Sequence, residues 1–364
     1  MFKAIGNFAT ANTPRRGVAL LIVLMVTTIL TVVVLDFAQS TRVNFYIASN
    51  IHNGMKAYYM AKSGIQVAEG SLLRDMQKTK DDHLDEDWNN PLFSFIPLSD
   101  TETISVNITD ESGKFNVNRM VSGTGNVKQT EVDIFRKLLE LLELDPATAD
   151  AVADWLDINE DAFNGAGTED QFYGYSVSPG GAYQSKNGRL SSLAELKLIK
   201  GINSDVFKKL SEVCTIYTDA KLNINTINDT VLSAIILSID EKADAQKTIS
   251  AITAYRDTPE QHFEKRSLRG QLMEAGVDPR MAARLRRKLG TSSRYFSVDV
   301  TANVGPTVKS VRGVVKRSKK KVSLVYFRPG ELLNPPKAPD DLGAMADMLG
   351  AAQGAGINIG DFMQ

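Results

Sequence analysis

Residues 14–37 read PRRGVALLIVLMVTTILTVVVLDF, and the fold of the whole chain turns on whether this run is kept or discarded. Between Val18 and Leu35 there is no charge, and only Thr27, Thr28 and Thr31 interrupt the apolar side chains. As a helix rising about 1.5 Å per residue the run covers about 27 Å, close to the thickness of a bilayer core. Lys3, Arg15 and Arg16 precede it and Asp36 follows it, an asymmetry that leaves the N-terminus in the cytoplasm and the bulk of the chain outside. A cleaved secretory signal carries a shorter apolar region, about 7 to 15 residues, and ends in a small-x-small site, which Ala38-Gln39-Ser40 matches only weakly. Arg15-Arg16 lacks the neighbours of a twin-arginine signal.

The residues beyond the span favour keeping it. From 37 to 77 there is no proline, and Phe45, Ala48, Ile51, Met55, Tyr58, Ala61, Ile65, Ala68 and Leu72 recur at three- and four-residue steps. One continuous helix, first membrane-spanning and then half-buried, is expected. A basic leader ending in glycine ahead of such a helix resembles the prepilin family. That resemblance implies cleavage by prepilin peptidase after Gly17, with Val18 as the mature N-terminus, and glycine suits a peptidase that needs close backbone approach. Most members carry glutamate at the fifth mature position; here it is Ile22. A buried carboxylate is costly unless paired, so its absence points to a subunit with no neighbour above it. In lacking this glutamate and in its length, the chain resembles the K family of minor pseudopilins of type II secretion.

An internal repeat carries a second signal. KFNVN at 114–118 recurs as KLNIN at 221–225, AVADWLD at 151–157 as AITAYRD at 251–257, and SLAELKLIKGIN at 192–203 as SLRGQLMEAGVD at 267–278. Helical spacing fills the segments between, as at Phe135, Leu138, Leu139 and Leu142, or at Ile249 and Ile252. Two related helical units are expected, and the same order of motifs characterises the helical domain of the K family. Strand alternation brackets them: Ile104, Val106 and Ile108 before, then Phe296, Val298, Val300, Ala302 and Val304, and Val322, Leu324 and Tyr326 after.

The expected fold is therefore α+β, a pilin-like long N-terminal transmembrane helix packed on an antiparallel sheet, with a large all-helical insertion. The expected boundaries are a leader at 1–17, the span at 18–38, helix extension and first strands at 39–126, the helical insertion at 127–292, closing strands at 293–330, and a flexible Pro-, Gly- and Ala-rich tail at 331–364. The cluster Lys316, Arg317, Lys319, Lys320 and Lys321 falls between two strand patterns and is expected as a solvated hairpin turn, or as a contact to an acidic partner.

Composition narrows the function. With 42 basic and 43 acidic residues in 364, the chain shows no global bias toward nucleic acid. One cysteine, Cys214, excludes an intramolecular disulfide framework, and the scattered His52, His83 and His262 give little material for a catalytic dyad, triad or zinc site. No enzymatic activity and no small-molecule substrate are expected. Two alternatives are a signal-anchored periplasmic protein outside any filament and a competence-type DNA-binding protein, since LNINTINDTVLSAI also looks like the start of a helix-hairpin-helix module. Such modules offer backbone N–H groups to phosphate from a Gly-x-Gly hairpin. The turns Gly201-Ile202-Asn203, Gly276-Val277-Asp278 and Ser238-Ile239-Asp240 all lack the second glycine, although Arg280, Arg284, Arg286, Arg287 and Lys288 supply basic charge.

One loop suggests a metal. Asp157, Asn159 and Asp161 place oxygen ligands at alternate positions, as a calcium loop begins, and Glu169 and Asp170 could close the shell after Gly165-Ala166-Gly167. It is not an EF-hand, whose glycine spacing and terminal bidentate glutamate are absent. The K-family resemblance adds weight to a structural calcium. It also implies a role at the tip of the pseudopilus in export of folded proteins, inner-membrane anchoring, and assembly with minor pseudopilins I and J.

Overall fold

The computed structural model describes residues 16–90, 95–165, 173, 183–217, 221–241, 244–258, 261–319 and 321–330. The leader ahead of Arg16, the residues Glu169 and Asp170, and the tail 331–364 lie outside the described residues. Helix α1 (Arg16–Lys78) is one element of 63 residues, about 95 Å long at ~1.5 Å per residue. Its far half buries Ala57, Ala61, Ile65, Ala68 and Leu72, a stripe one helical turn apart.

That stripe lies on a five-stranded antiparallel sheet built from β1 (Phe95–Ser99), β2 (Glu102–Asp110) and, much later in the chain, β7 (Tyr295–Val304), β8 (Thr307–Ser318) and β9 (Lys321–Pro329), in that spatial order. Ile104, Val106 and Ile108 of β2 turn to the helix, as do Val298, Val300 and Ala302 of β7, and Val106 stands opposite Val300 in the register. The two layers meet closely at Gly64, where a Cβ would fall 2.5 Å from Val300 Cγ1. From the sheet side, a Cβ on Gly313 of β8 would lie 2.9 Å from Ile65 Cδ1.

Between β2 and β7 the chain leaves the sheet and builds the helical unit, in which the repeat is visible element by element. The first copy runs β3 (Phe115–Asn116), α2 (Gln129–Leu141), α3 (Thr148–Leu156), a 3-10 turn (Leu193–Leu198), α4 (Ser204–Val213) and β4 (Cys214–Thr215). The second runs β5 (Leu222–Asn223), α5 (Asp229–Ile239), α6 (Ala245–Arg256), α7 (Leu268–Glu274), α8 (Pro279–Lys288) and β6 (Leu289–Gly290). Each copy closes on itself through a short parallel ladder, Phe115 with Cys214 and Leu222 with Leu289. The N-x-N motif adds a second tie inside each copy. Asn118 donates to Leu190 O and accepts from Leu190 N, and Asn225 makes the same two-bond clamp on Phe263. Both copies then turn through a glycine with positive φ, Gly201 at 86° and Gly276 at 95°, a conformation that glycine adopts without strain.

The two copies share one core, with α2 against α5. That core also takes in Phe115, Val117, Met120 and Val121, so the helical unit begins upstream of the expected boundary at residue 127. Its first element is the N-x-N strand rather than the first helix, and the unit carries two small parallel ladders that helical periodicity does not reveal. The hairpin expectation holds in part: Lys319 is exposed in the turn between β8 and β9, and Lys321 opens β9. Lys316 and Arg317 belong to β8, and the Arg317 side chain is buried rather than solvated.

Arg317 anchors a buried polar network at the junction of the two units. Its guanidinium donates to Asp75 on α1 at 2.8 Å, to Asp82 in the following loop and to Ser293 O at 3.1 Å. Asp82 also accepts from Ser293 N. Asn223, from the second N-x-N motif, donates to Asp82 O, Asp110 Oδ2 and Ser293 Oγ. A single polar network thus ties the end of α1, strands β2 and β8, and the second helical copy, and it supplies the hydrogen bonds that buried charges need.

Candidate functional site

Two features on this scaffold are left with business unfinished inside the chain. The first is the near half of α1. From Val18 to Leu35 it is apolar and uncharged, and none of it is buried inside the protein. The three threonines do not spoil the span, because Thr27, Thr28 and Thr31 donate their hydroxyls to Leu24 O, Met25 O and Thr27 O, as apolar surroundings require. Ile22, where the family expectation places a glutamate in most members, is 57% exposed. Past the span, Ile47, Ile51, Met55 and Tyr59 remain exposed at four-residue steps. They form a ridge along α1 that the sheet leaves uncovered. Gly17 lies in the first turn of the same helix, next to Val18.

The second feature is the acidic loop after α3. Helix α3 ends at Leu156, and Asp154 and Asp157 are both fully buried. Asp154 Oδ1 accepts from Phe163 N at 2.5 Å, which folds the loop back over the helix end. Asn159 donates to Asp157 Oδ2 at 2.8 Å and accepts from Asp161 N at 2.8 Å. The Asn159 side chain thus links the Asp157 carboxylate to the backbone of Asp161, whose own side chain is exposed. Burial and the neighbouring Asp154 and Asp161 carboxylates push Asp157 up to about 6. Among the described residues, Asp157 Oδ1 is buried with no hydrogen-bond partner, and so is Asn187 Oδ1. Asn187, held at φ 45° and donating to Asn159 O, carries no sequence motif and escapes a reading of spacing alone. Orphaned buried acceptors beside a raised carboxylate fit an oxygen-ligated cation.

Two of the three hairpin turns that raise the DNA alternative, at Gly201 and Gly276, are already occupied. Asn203 Oδ1 accepts from Asp205 N and Val206 N, and Asp278 Oδ1 accepts from Arg280 N and Met281 N. The donors that a phosphate would need are capped by the chain's own side chains, and in the second copy by a carboxylate.

Comparisons with known proteins agree with this architecture. A family model described as type II secretion system protein K matches residues 113–219, the first helical copy. Type II secretion system protein K of Pseudomonas aeruginosa is 33% identical over 60% of this chain and 68% of its own length. The protein K of Pectobacterium carotovorum is 28% identical over 87% of this chain and 97% of its own. Among solved structures, the crystal structure of the GspK–GspI–GspJ complex from enterotoxigenic Escherichia coli has a chain that superimposes with a TM-score of 0.63, at 20% identity, over 76% of this chain and 97% of that one. The likeness is one of fold. Taken with the sequence relatives, the long apolar helix and the repeated helical unit, it places the chain in the type II secretion system protein K family, the K-type minor pseudopilins.

Proposed function

We propose that the chain is anchored in the inner membrane with its N-terminus in the cytoplasm, is cut after Gly17 by prepilin peptidase, and then sits at the tip of the pseudopilus with the I and J minor pseudopilins. There it acts as a structural subunit in the export of folded proteins and not as an enzyme. The exposed ridge of Ile47, Ile51, Met55 and Tyr59, continuous with the span, carries this reading, because apolar surface of that kind needs lipid or partner helices to cover it. Ile22 supports the tip, since a subunit with nothing above it has no ammonium to pair with a buried carboxylate. The relative's complex with GspI and GspJ supplies the partner classes. Mixing the extracytoplasmic region with those of I and J should give one ternary species by light scattering, and Ile51→Glu with Met55→Glu should weaken it. A wild-type region that stays monomeric where I and J associate would sink the reading.

The acidic loop belongs to the same reading as a structural calcium site. Asp157 and Asp161 would hold the ion with Asn159, Glu169 and Asp170, and Asn187 joins them on the strength of its orphaned oxygen. The ion would supply the positive charge that Asp154, Asp157 and Asp161 lack among themselves.

A further inference from the structure

A cleft of about 960 Å³ opens at the waist between the pilin-like sheet and the helical unit. Its walls come from the end of α1 and the loop after it, the segment before α7, the linker into β7, and the β8–β9 turn. Seven cationic side chains line it, of which Arg317 is buried and committed to Asp75 and Asp82, leaving Lys80, Lys265, Arg266, Arg294, Lys316 and Lys319 to set the charge of the walls against three acids, Asp81, Asp82 and Glu264. Two of those acids are engaged inside the protein. Asp82 takes Arg317, and Asp81 accepts from Lys265 N and Thr291 Oγ1. Only Glu264 stands exposed on the rim. The chain as a whole carries a net charge of −1, so this concentration of positive charge is local.

From this geometry we infer that the waist cleft docks an acidic, extended protein segment of a partner. Carboxylates threaded along the cleft would meet cations on both units at once, so binding would also fix the helical unit against the sheet. The anchoring bilayer is excluded as the occupant by distance. The cleft begins at Met76, about 60 Å along α1 from the end of the span at ~1.5 Å per residue, several Debye lengths from any lipid headgroup. This docking is independent of the I and J interface proposed on the α1 ridge.

The test uses the full-length protein in neutral detergent and a fluorescein-labelled decaglutamate peptide, read by anisotropy. Binding should be measurable at low salt and fall steeply between about 20 mM and about 200 mM NaCl. Lys265→Glu, Arg266→Glu and Lys319→Glu together should lower affinity by about tenfold or more, which is about 1.4 kcal/mol. A charge-matched variant far from the cleft, Lys128→Glu, Lys208→Glu and Lys247→Glu, should stay within about twofold. Should the triple variant fold poorly, Lys319→Glu alone in the exposed turn should still cost about threefold. No binding by the wild type, or equal loss in both triple variants, overturns the proposal. Displacement of the peptide by tripolyphosphate at a lower concentration of charge than by unlabelled decaglutamate also overturns it, because the cleft would then be a phosphate site.

Discussion

Arg317 donates from Nη1 to Asp75 Oδ2 at 2.8 Å, and both side chains are buried. The same guanidinium reaches Asp82, so one cation from β8 serves two carboxylates from the end of α1 and the loop beyond it. It also stacks over the Phe296 ring, 4.9 Å from its centroid. Removing one member of such a group strands buried charge. Arg317→Ala should therefore cost about 3 to 5 kcal/mol, measured by urea unfolding of the extracytoplasmic region. A loss below about 1 kcal/mol, the scale of an exposed pair, would mean that this ion-paired group does not bind the end of α1 to β8.

The pH dependence follows from the same site. Burial pushes Asp75 up to about 7, with Glu86 adding to it, and pushes Asp82 up to about 6, while Arg317 pulls both down. The native protein thus keeps protons that the unfolded chain, with aspartates near about 4, has already released. Their contribution to stability is complete below about pH 4 and is lost as pH rises through about 6 and then about 7. In chelator, unfolding free energy should fall between about pH 5 and about pH 7.5, and Asp75→Asn should flatten that slope. A slope of the opposite sign that Asp75→Asn leaves unchanged would contradict the assignment.

Gly64 tests the contact between helix and sheet. Any side chain there meets Val300, which is fully buried, and overpacking of this kind typically costs about 1 to 3 kcal/mol. Gly64→Val should lower the melting temperature, whereas Gly70→Ala, on the same helix with open space beside it, should be neutral or slightly stabilising. Equal effects at the two positions would argue that α1 does not press on β7.

Calcium should raise the melting temperature by binding the folded form alone, contributing about 2.7 kcal/mol at a hundredfold excess over Kd. Asp157→Asn should remove the calcium response while leaving the metal-free protein at least as stable, because it discharges a buried carboxylate that lies near Asp154 and Asp161. Magnesium, with its smaller octahedral shell, should substitute poorly. A melting curve indifferent to both calcium and chelator would reduce the loop to an acidic insertion.

Much of this architecture is legible in local pattern. The α1 stripe from Ala61 to Leu72 and the alternation in β2 and β7 mark the apolar faces that meet between helix and sheet, and the paired N-x-N motifs mark the repeat because each second asparagine performs the same clamp. Other features depend on partners distant in the chain. Arg317 sits in a run of basic residues that reads as a solvated turn, and only its pairing with Asp82, 235 positions upstream, reveals it as interior. Strand β8 hides because its buried face runs Val311, Gly313, Val315 and Arg317, so a glycine and a charged residue stand where apolar side chains would mark the two-residue period. Strand β1 hides because Pro97 interrupts an edge strand. At the acidic loop, spacing finds Asp157, Asn159 and Asp161, but Asn187 reaches them from a separate segment with no motif of its own.

The most direct test of the whole account is the N-terminus of the full-length protein, extracted from membranes of cells that express prepilin peptidase and read by intact mass and terminal sequencing. The account predicts a chain beginning at Val18, with the apolar span retained. A chain beginning at Thr41, after an ordinary signal cleavage, or one still beginning at Met1, would contradict it.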